Sequence, residues 1–450
     1  MTEKFDILVI GSGPAGSNLA GLTSGKGLKT AIVESRAYGG TCPLRGCNPK
    51  KVLASAAKMI AEAENMQGTG ISGNSHINWK DLITFKQSFV DPIPEAKEKS
   101  LQKKGVITFH GEAKFISDNQ VKIADQTTIE ADKIIIATGA VPAELPIKGK
   151  EHLVISDDFL NLTELPKDII FIGGGYIAFE FAHIAKRASS NVHIIQRGQH
   201  PLRKFDPDLV DKLIAQSKSI GIQVHLEADV KAIEKDGQKY SVVAEQNGSK
   251  VSWESDMVVH GGGRVPNVAD LGLEEANVAY DKQGIKVDNY LRSPSNPHVY
   301  AIGDAAASEG APLTPVAQQD AQIVFKNIGK ENSVRPDYTG VPSVVFTTPK
   351  LASAGLSVAA AQKLDKETEI HDLDISRWFT YAHVNSEFAA VKVIMEKDTQ
   401  KILGAHMLGD SADELINIFA MAIQLRLTAD QLKGVTYAFP TAVSDIGSML

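Results

Sequence analysis

Two cysteines, Cys42 and Cys47, stand five residues apart in the stretch Gly-Gly-Thr-Cys-Pro-Leu-Arg-Gly-Cys-Asn-Pro-Lys-Lys at 39–51, and the chain of 450 residues has no others. Two cysteines in so long a chain are too few for a structural disulfide scaffold. In a reducing compartment a close pair is more readily catalytic. The other reading is a pair of inert core thiols, but the flanking glycines and prolines do not suit a packed core element. The chemistry expected is a thiol pair that opens and closes, moving two electrons each time. Such a pair needs an electron supply.

That supply can be read on either side of the pair. Residues 5–10 are an apolar run, followed by Gly11-Ser12-Gly13-Pro14-Ala15-Gly16 and a helix-like stretch to about Gly25. Residues 28–33 form the next strand, which ends at Glu34. This is the strand, glycine turn, helix, strand, acid order of a dinucleotide site. The glycines allow the turn, the approach of a pyrophosphate and close helix packing, and the helix N-terminus offers N–H groups to phosphate. Glu34, 18 residues after Gly16, is placed to take ribose hydroxyls.

A second unit begins near Asp168. Residues 169–172 are its strand, Gly173-Gly174-Gly175 its turn, residues 176–187 its helix and residues 191–195 its next strand. Here Gln196 and Arg197 follow instead of an acid, with Arg203 and Lys204 close behind. An arginine at this place accommodates a 2′-phosphate. The second site therefore reads as preferring NADPH, with NADH as the alternative. One nucleotide cannot fill both units. A flavin dinucleotide in the first and a nicotinamide in the second make a donor, a relay and an acceptor.

The totals fit a globular protein and give no general electrostatic reason to bind nucleic acid or an anionic membrane. The net charge is −7, hydrophobic residues make up 43% and charged residues 22%. No apolar run approaches a membrane span. The chain opens Met-Thr-Glu-Lys and enters a strand at once, from which a cytoplasmic location is expected. No resident metal site is expected. At roughly 150 residues per domain the length predicts about three domains. Residues 50–65 read as a helix, 67–78 as a loop, and 79–104 as helix interrupted near Pro92 and Pro94. Segments from 106 to 129 read as antiparallel strands, and 133–137 as a buried strand before Thr138-Gly139. Gly263-Arg264 and a strand ending at Gly303-Asp304 follow, and Asp304 could take hydroxyls of a sugar-like chain. After about Arg335 the glycine-rich loops stop. Strands at 344–346, 391–396 and 402–407 and an apolar-faced helix at 412–425 suggest an interface, hence a homodimer.

Residues 39–51 resemble the redox-active segment of the class I pyridine nucleotide-disulfide oxidoreductases, the flavoenzyme family of glutathione reductase and dihydrolipoamide dehydrogenase. The resemblance covers nearly the whole chain. It implies an α/β fold with two Rossmann-like, doubly wound, three-layer dinucleotide-binding domains and a C-terminal α+β dimerisation domain. Residues 1–141 are expected to bind FAD and carry the cysteines, 142–262 to bind NAD(P)H, 263–335 to complete the FAD domain and 336–450 to dimerise. By resemblance the FAD contacts are Gly11 to Gly16, Glu34, Ser35, Gly40, Thr41, Ala113, Thr138, Gly139 and Asp304. Those of NADPH are Gly173, Gly175, Tyr176, Ile177, Glu180, Arg197, Arg203 and Gly263. Cys42 takes the role of interchange thiol and Cys47 that of the thiolate against the flavin. Lys50 is expected to pair with Glu180 beside the flavin ring, and Tyr176 to move aside for nicotinamide.

Two departures shape the functional expectation. The family's C-terminal signature is His-Pro-Thr followed by a glutamate, reached from the other subunit. Here Phe439 stands for the histidine and Ser444 for the glutamate. A missing general acid costs ~10²–10⁴ in rate. Tyr437 and Asp445 are near substitutes in sequence, His383 and His406 more distant ones. The arginines that grip glutathione carboxylates align with Gly21 and Gln322, neither of which forms a bidentate ion pair. No further cysteine pair follows, unlike mercuric reductases or large thioredoxin reductases. The expected function is an FAD-dependent NADPH oxidoreductase passing electrons through Cys42–Cys47 to an activated disulfide, an oxidised sulfur species, a quinone or a metal ion. The alternatives are a low-molecular-weight disulfide reductase with a substitute acid–base residue, and a redox sensor on this scaffold.

Overall fold

A computed structural model describes residues 2–124, 126–330 and 333–450; Met1, Asp125, Glu331 and Asn332 lie outside the described residues. The chain divides into two compact units. The first comprises Met1–Lys50, Phe85–Ala143 and Arg264–Tyr338, and the second Lys51–Thr84, Glu144–Gly263 and Thr339–Leu450.

The first unit is built on a strand, Thr2–Ile10, whose last four residues are buried. Such a run, apolar on both faces, needs layers on both sides of a parallel sheet. It pairs in parallel with Thr30–Glu34 and with Thr127–Ile136, Ile10 standing opposite Val33 and Ile136. Val299–Ala301 adds a further parallel strand on Thr127–Ile136. The helix Pro14–Gly25 covers one face together with Thr314–Asn327. Gly11 is the hinge of the first turn. Its φ is +102°, and a Cβ there would lie 2.4 Å from the Ala137 carbonyl oxygen.

The alternation between 106 and 129 does not give antiparallel strands throughout. Gln120–Ile123 pairs antiparallel with Ala113–Ser117 and with Thr127–Ile136. Ile107–His110 instead runs parallel to Thr30–Glu34. The helix Ile93–Lys103 precedes it and returns the chain in the original direction, as a parallel crossover requires.

The second unit repeats the device and adds two antiparallel sheets. Its parallel sheet runs Ile222–His225, Asn191–Ile195, Asp168–Ile172, Met257–His260, Leu153–Val154. Gly173 has φ +115°, and a Cβ there would lie 2.2 Å from the Gly261 carbonyl oxygen, repeating the constraint seen at Gly11. Ala228–Asp236, Lys239–Gln246 and Ser249–Ser255 form a meander. A five-stranded antiparallel sheet runs Ser343–Val345, Lys350–Gly355, Ile402–Gly409, Ala390–Glu396, Thr368–Asp374. The helix Ala412–Gln424 packs its Leu415, Ile416, Phe419 and Ile423 onto that sheet. No helix among the described residues is long and apolar enough to cross a membrane.

Candidate active site

The cysteine segment is helical on both sides of a break at Gly46. Thr41–Arg45 is a short helix, and Cys47 opens the 19-residue helix Cys47–Asn65. The sequence reading started that helix at Lys50. The first turn has no intrahelical partners for its N–H groups, so Pro49 fits there and the helix begins earlier. Cys47 thus sits at a helix N-terminus, where backbone dipoles favour a thiolate.

Both cysteines are thiols, Cys42 half-buried and Cys47 exposed. The Cys47 thiol is held down at about 6. The main cause is a hydrogen bond from the Cys42 S–H. The Thr314 hydroxyl and the Lys50 ammonium add to it against the opposing effect of burial. Cys42 is pushed up by the same hydrogen bond and by burial. The arrangement therefore favours a thiolate on Cys47 and a thiol on Cys42. Thr314 Oγ1 lies 3.8 Å from Cys47 Sγ and opens the helix Thr314–Asn327. Sequence reading missed it. Its only local signal is Thr-Pro at a helix start, and 267 residues separate it from Cys47.

Around the first glycine turn the first unit forms a cradle. Glu34 Oε2 accepts from Ser12 N at 2.9 Å and Ser12 Oγ at 2.7 Å, and Gly39 N donates to Ser12 Oγ at 2.9 Å. A Cβ on Gly40 would lie 2.4 Å from Gly13 Cα, so the segment leading into Thr41 lies against the turn. Gly111 N donates to Glu34 O at 2.9 Å, and Ala113 lies buried two residues on. Thr138 Oγ1 donates to Asn267 O at 2.7 Å, and Gly139 O accepts from Asn267 N at 2.9 Å. Asp304 has its pKa raised by burial, against the pull of Arg264. Asp320 fixes its turn, accepting from Gly303 N at 2.9 Å and Tyr338 OH at 2.7 Å. Ala15 and Gly16 are buried in the helix behind the turn, and Ser35 is exposed. These residues fit a dinucleotide. The helix Pro14–Gly25 has no capping side chain at Gly13, so its first N–H groups are left for a phosphate, and nothing lies within 4 Å of a Cβ on Gly13.

The second unit holds a matching cradle. The helix Tyr176–Arg187 likewise has no capping side chain at Gly175. Tyr176 is half-buried, edge-on to Phe205 at 5.6 Å. Burial raises its pKa, with Ser343 and Glu180 also acting on it. Ile177 packs against the core beneath. Glu180 is 5% exposed, and its Oε1 accepts from Phe346 N at 2.8 Å. His183, a turn further on, bonds Ser217 at 3.0 Å. Arg197 and Arg203 are exposed after the second strand, and Arg203 with His200 lines a cavity of about 430 Å³. Gly263 faces open space at φ +111°. Lys50 falls in the first unit and Glu180 in the second.

The substitutes for the missing acid–base pair are engaged in local structure. Tyr437 OH donates to Leu432 O at 3.1 Å, and Asp445 accepts from Thr380 Oγ1 at 2.6 Å. His383 lies against Phe379, its ring stacked at 5.0 Å. His406 is buried against Leu356 O, and burial lowers its pKa. Ser444 and Thr441 cap one another. Phe439 is 85% exposed.

Residues 5–321 match the family model described as pyridine nucleotide-disulphide oxidoreductase, and residues 341–449 match the dimerisation domain of the same family. A glutathione reductase from Burkholderia cepacia is 34% identical over 444 residues, covering 98% of this chain and 97% of that protein. A dihydrolipoyl dehydrogenase from Chlamydia muridarum is 32% identical over 450 residues, with 98% and 95% covered. Among solved structures, the Cu(II) complex of the HOCl-induced flavoprotein disulfide reductase RclA from Escherichia coli superposes with a TM-score of 0.89 at 26% identity, covering 99% of each chain.

Proposed function

Because this chain belongs to the pyridine nucleotide-disulphide oxidoreductases, a family of FAD-binding, NAD(P)H-dependent enzymes, we propose that it uses NADPH to keep the Cys42–Cys47 pair reduced and passes the electrons to an acceptor that needs no proton. One observation carries the reading: Cys42 is hydrogen-bonded to Cys47, which favours a thiolate on Cys47, in a chain with phenylalanine where the family signature has its histidine. FAD, when bound, supplies the two-electron relay from NADPH to the disulfide. Gly11 to Gly16, Glu34, Thr138, Gly139 and Asp304 would hold it, and Gly173, Gly175, Tyr176 and Glu180 would hold the nicotinamide nucleotide. Arg197 and Arg203 would take the 2′-phosphate. Lys50, one turn after Cys47, favours the thiolate by charge.

Among acceptors of this kind an oxidised metal ion is favoured, because the Escherichia coli flavoprotein was solved with Cu(II). The step balances without a general acid. Two Cu(II) ions each take one electron, the two sulfurs join in a disulfide, the Cys42 proton leaves to solvent and two Cu(I) ions depart. Soft thiolates suit the Cu(I) product. The working form would be a homodimer, a reading supported by the dimerisation domain.

Glutathione is the second reading, favoured by the Burkholderia relative's name and by one contact. Lys104 Nζ lies 3.3 Å from where a Cβ would stand on Gly21, so a cation lies beside the position that aligns with the family's arginine. Parallel assays of NADPH oxidation decide. The expectation is turnover with Cu(II) at least about a hundredfold above that with oxidised glutathione. Comparable rates with glutathione, reduced by Lys104→Ala, would favour the second reading instead.

A further inference from the structure

Asp320 is wholly buried on the helix Thr314–Asn327 of the first unit. A carboxylate so placed is costly to fold unless its oxygens are satisfied. Both are, by neutral donors. Oδ2 accepts from Gly303 N at 2.9 Å, and Oδ1 accepts from Tyr338 OH at 2.7 Å. The first bond holds the residue before Asp304, and the second holds the last residue of the unit. We propose that Asp320 and Tyr338 are a positioning pair for the flavin, which through Gly303 fixes the direction of Asp304 and so slows the release of FAD. This rests on the reading of Asp304 as a residue that holds the flavin's sugar-like chain.

The turn Gly303–Ala305 has no capping side chain of its own. Gly303 has φ +63°, a conformation open to glycine, whose backbone is also the freest to move. The tie to Asp320 removes that freedom. A Cβ on Gly303 would lie 3.1 Å from Ala317 Cβ, so the turn lies against the helix, and Asp320 is three residues on, along the same helix face.

Tyr338 is braced in its turn. A Cβ on Gly310 would lie 3.0 Å from the Tyr338 ring, and Gln319 Nε2 donates to Asp337 O at 2.7 Å. Two neighbouring side chains of the helix thus grip the chain at 337–338, and Asp320 carries that grip to the turn. Asp304 and Asp320 repel one another, so hydrogen bonds and not charge do the holding. An asparagine can make both bonds: its oxygen accepts from Gly303 N, and its NH₂ donates to the Tyr338 oxygen.

Release of FAD from the dilute holoenzyme, followed by the rise of flavin fluorescence, tests this. Tyr338→Phe should speed release about fivefold, and Asp304→Asn and Asp320→Ala about tenfold or more. Asp320→Asn should stay within about twofold of the unaltered protein, because both bonds survive. Tyr280→Phe removes a tyrosine hydroxyl bonded to Glu274 elsewhere in the same unit and should change nothing. Because the pair acts through Asp304, Tyr338→Phe should add less than about twofold in an Asp304→Asn background. If Asp320→Ala does not fold, the other variants carry the test. Unchanged release in Asp304→Asn overturns the reading of Asp304 and the proposal with it. Faster release in Asp304→Asn but not in Tyr338→Phe overturns the pair alone. So does full additivity in the double variant, release from Asp320→Asn as fast as from Asp320→Ala, or an equal effect of Tyr280→Phe.

Discussion

A thiol with an ordinary pKa near 8.5 is a poor nucleophile at neutral pH, and the surroundings of Cys47 correct this. The Cys42 S–H, the Thr314 hydroxyl and Lys50 each favour its thiolate over the opposing effect of burial. Dithiol reactivity should therefore rise with pH through about 6 and level off near neutrality. Thr314→Val removes one donor at nearly constant volume. It should move the midpoint upward by roughly half a unit to one unit. Thiolate absorbance or alkylation rate, followed against pH in the reduced protein, measures it, and an unmoved midpoint would remove Thr314 from the account. Cys42, Cys47 and Lys50 were all legible as a cluster because sequence neighbours stay neighbours at a helix start. Thr314 was not, since only the sheet and its crossovers bring it to the sulfur.

The helix Tyr176–Arg187 illustrates what an element contributes. Its N-terminus faces the second glycine turn, while Glu180 and His183 accept hydrogen bonds from Phe346 N and Thr348 N, just after the strand Ser343–Val345. His183 is buried, and desolvation pushes its pKa down to about 3. An unfolded chain would protonate it near 6.5, so the unfolded state binds the extra proton first. The stability held by the neutral ring is fully present above about 6.5 and declines as the pH falls toward 3. Thermal denaturation between pH 7 and 4 should show this slope, and His183→Gln should flatten it. An equal slope in the variant would place the acid sensitivity elsewhere. The helix itself was legible from periodicity and the glycine turn. Its anchors were not, since they belong to a segment more than 150 residues away.

For the whole molecule the dimerisation domain supports a homodimer. Phe439, which stands where the family signature has its histidine, is 85% exposed on a single chain. Light scattering at micromolar concentration should report a dimer, and a monomer would detach Phe439 from the chemistry. Phe439→His tests the missing proton. It should raise turnover of oxidised glutathione by at least about tenfold, part of the ~10²–10⁴ that a general acid provides. Reduction of Cu(II), which has no leaving group to protonate, should not gain. A uniform change in both assays would mean that the side chain acts through packing.

By itself the sequence determined the family, the two nucleotide units and the close spacing of the two cysteines. Each is written in short-range terms: a glycine turn between strand and helix, an acid or an arginine at the end of the next strand, two cysteines in one segment. The tertiary structure alone decided which distant groups lie beside these candidate residues. Thr314 reaches Cys47, Asp320 and Tyr338 hold the turn of Asp304, and Phe346 N donates to Glu180. It also decided that Tyr437, Asp445 and His406 are committed to hydrogen bonds of their own. The physical reason is that hydrogen bonding and desolvation act over a few ångströms of space. Only a folded chain fixes which residues lie that close.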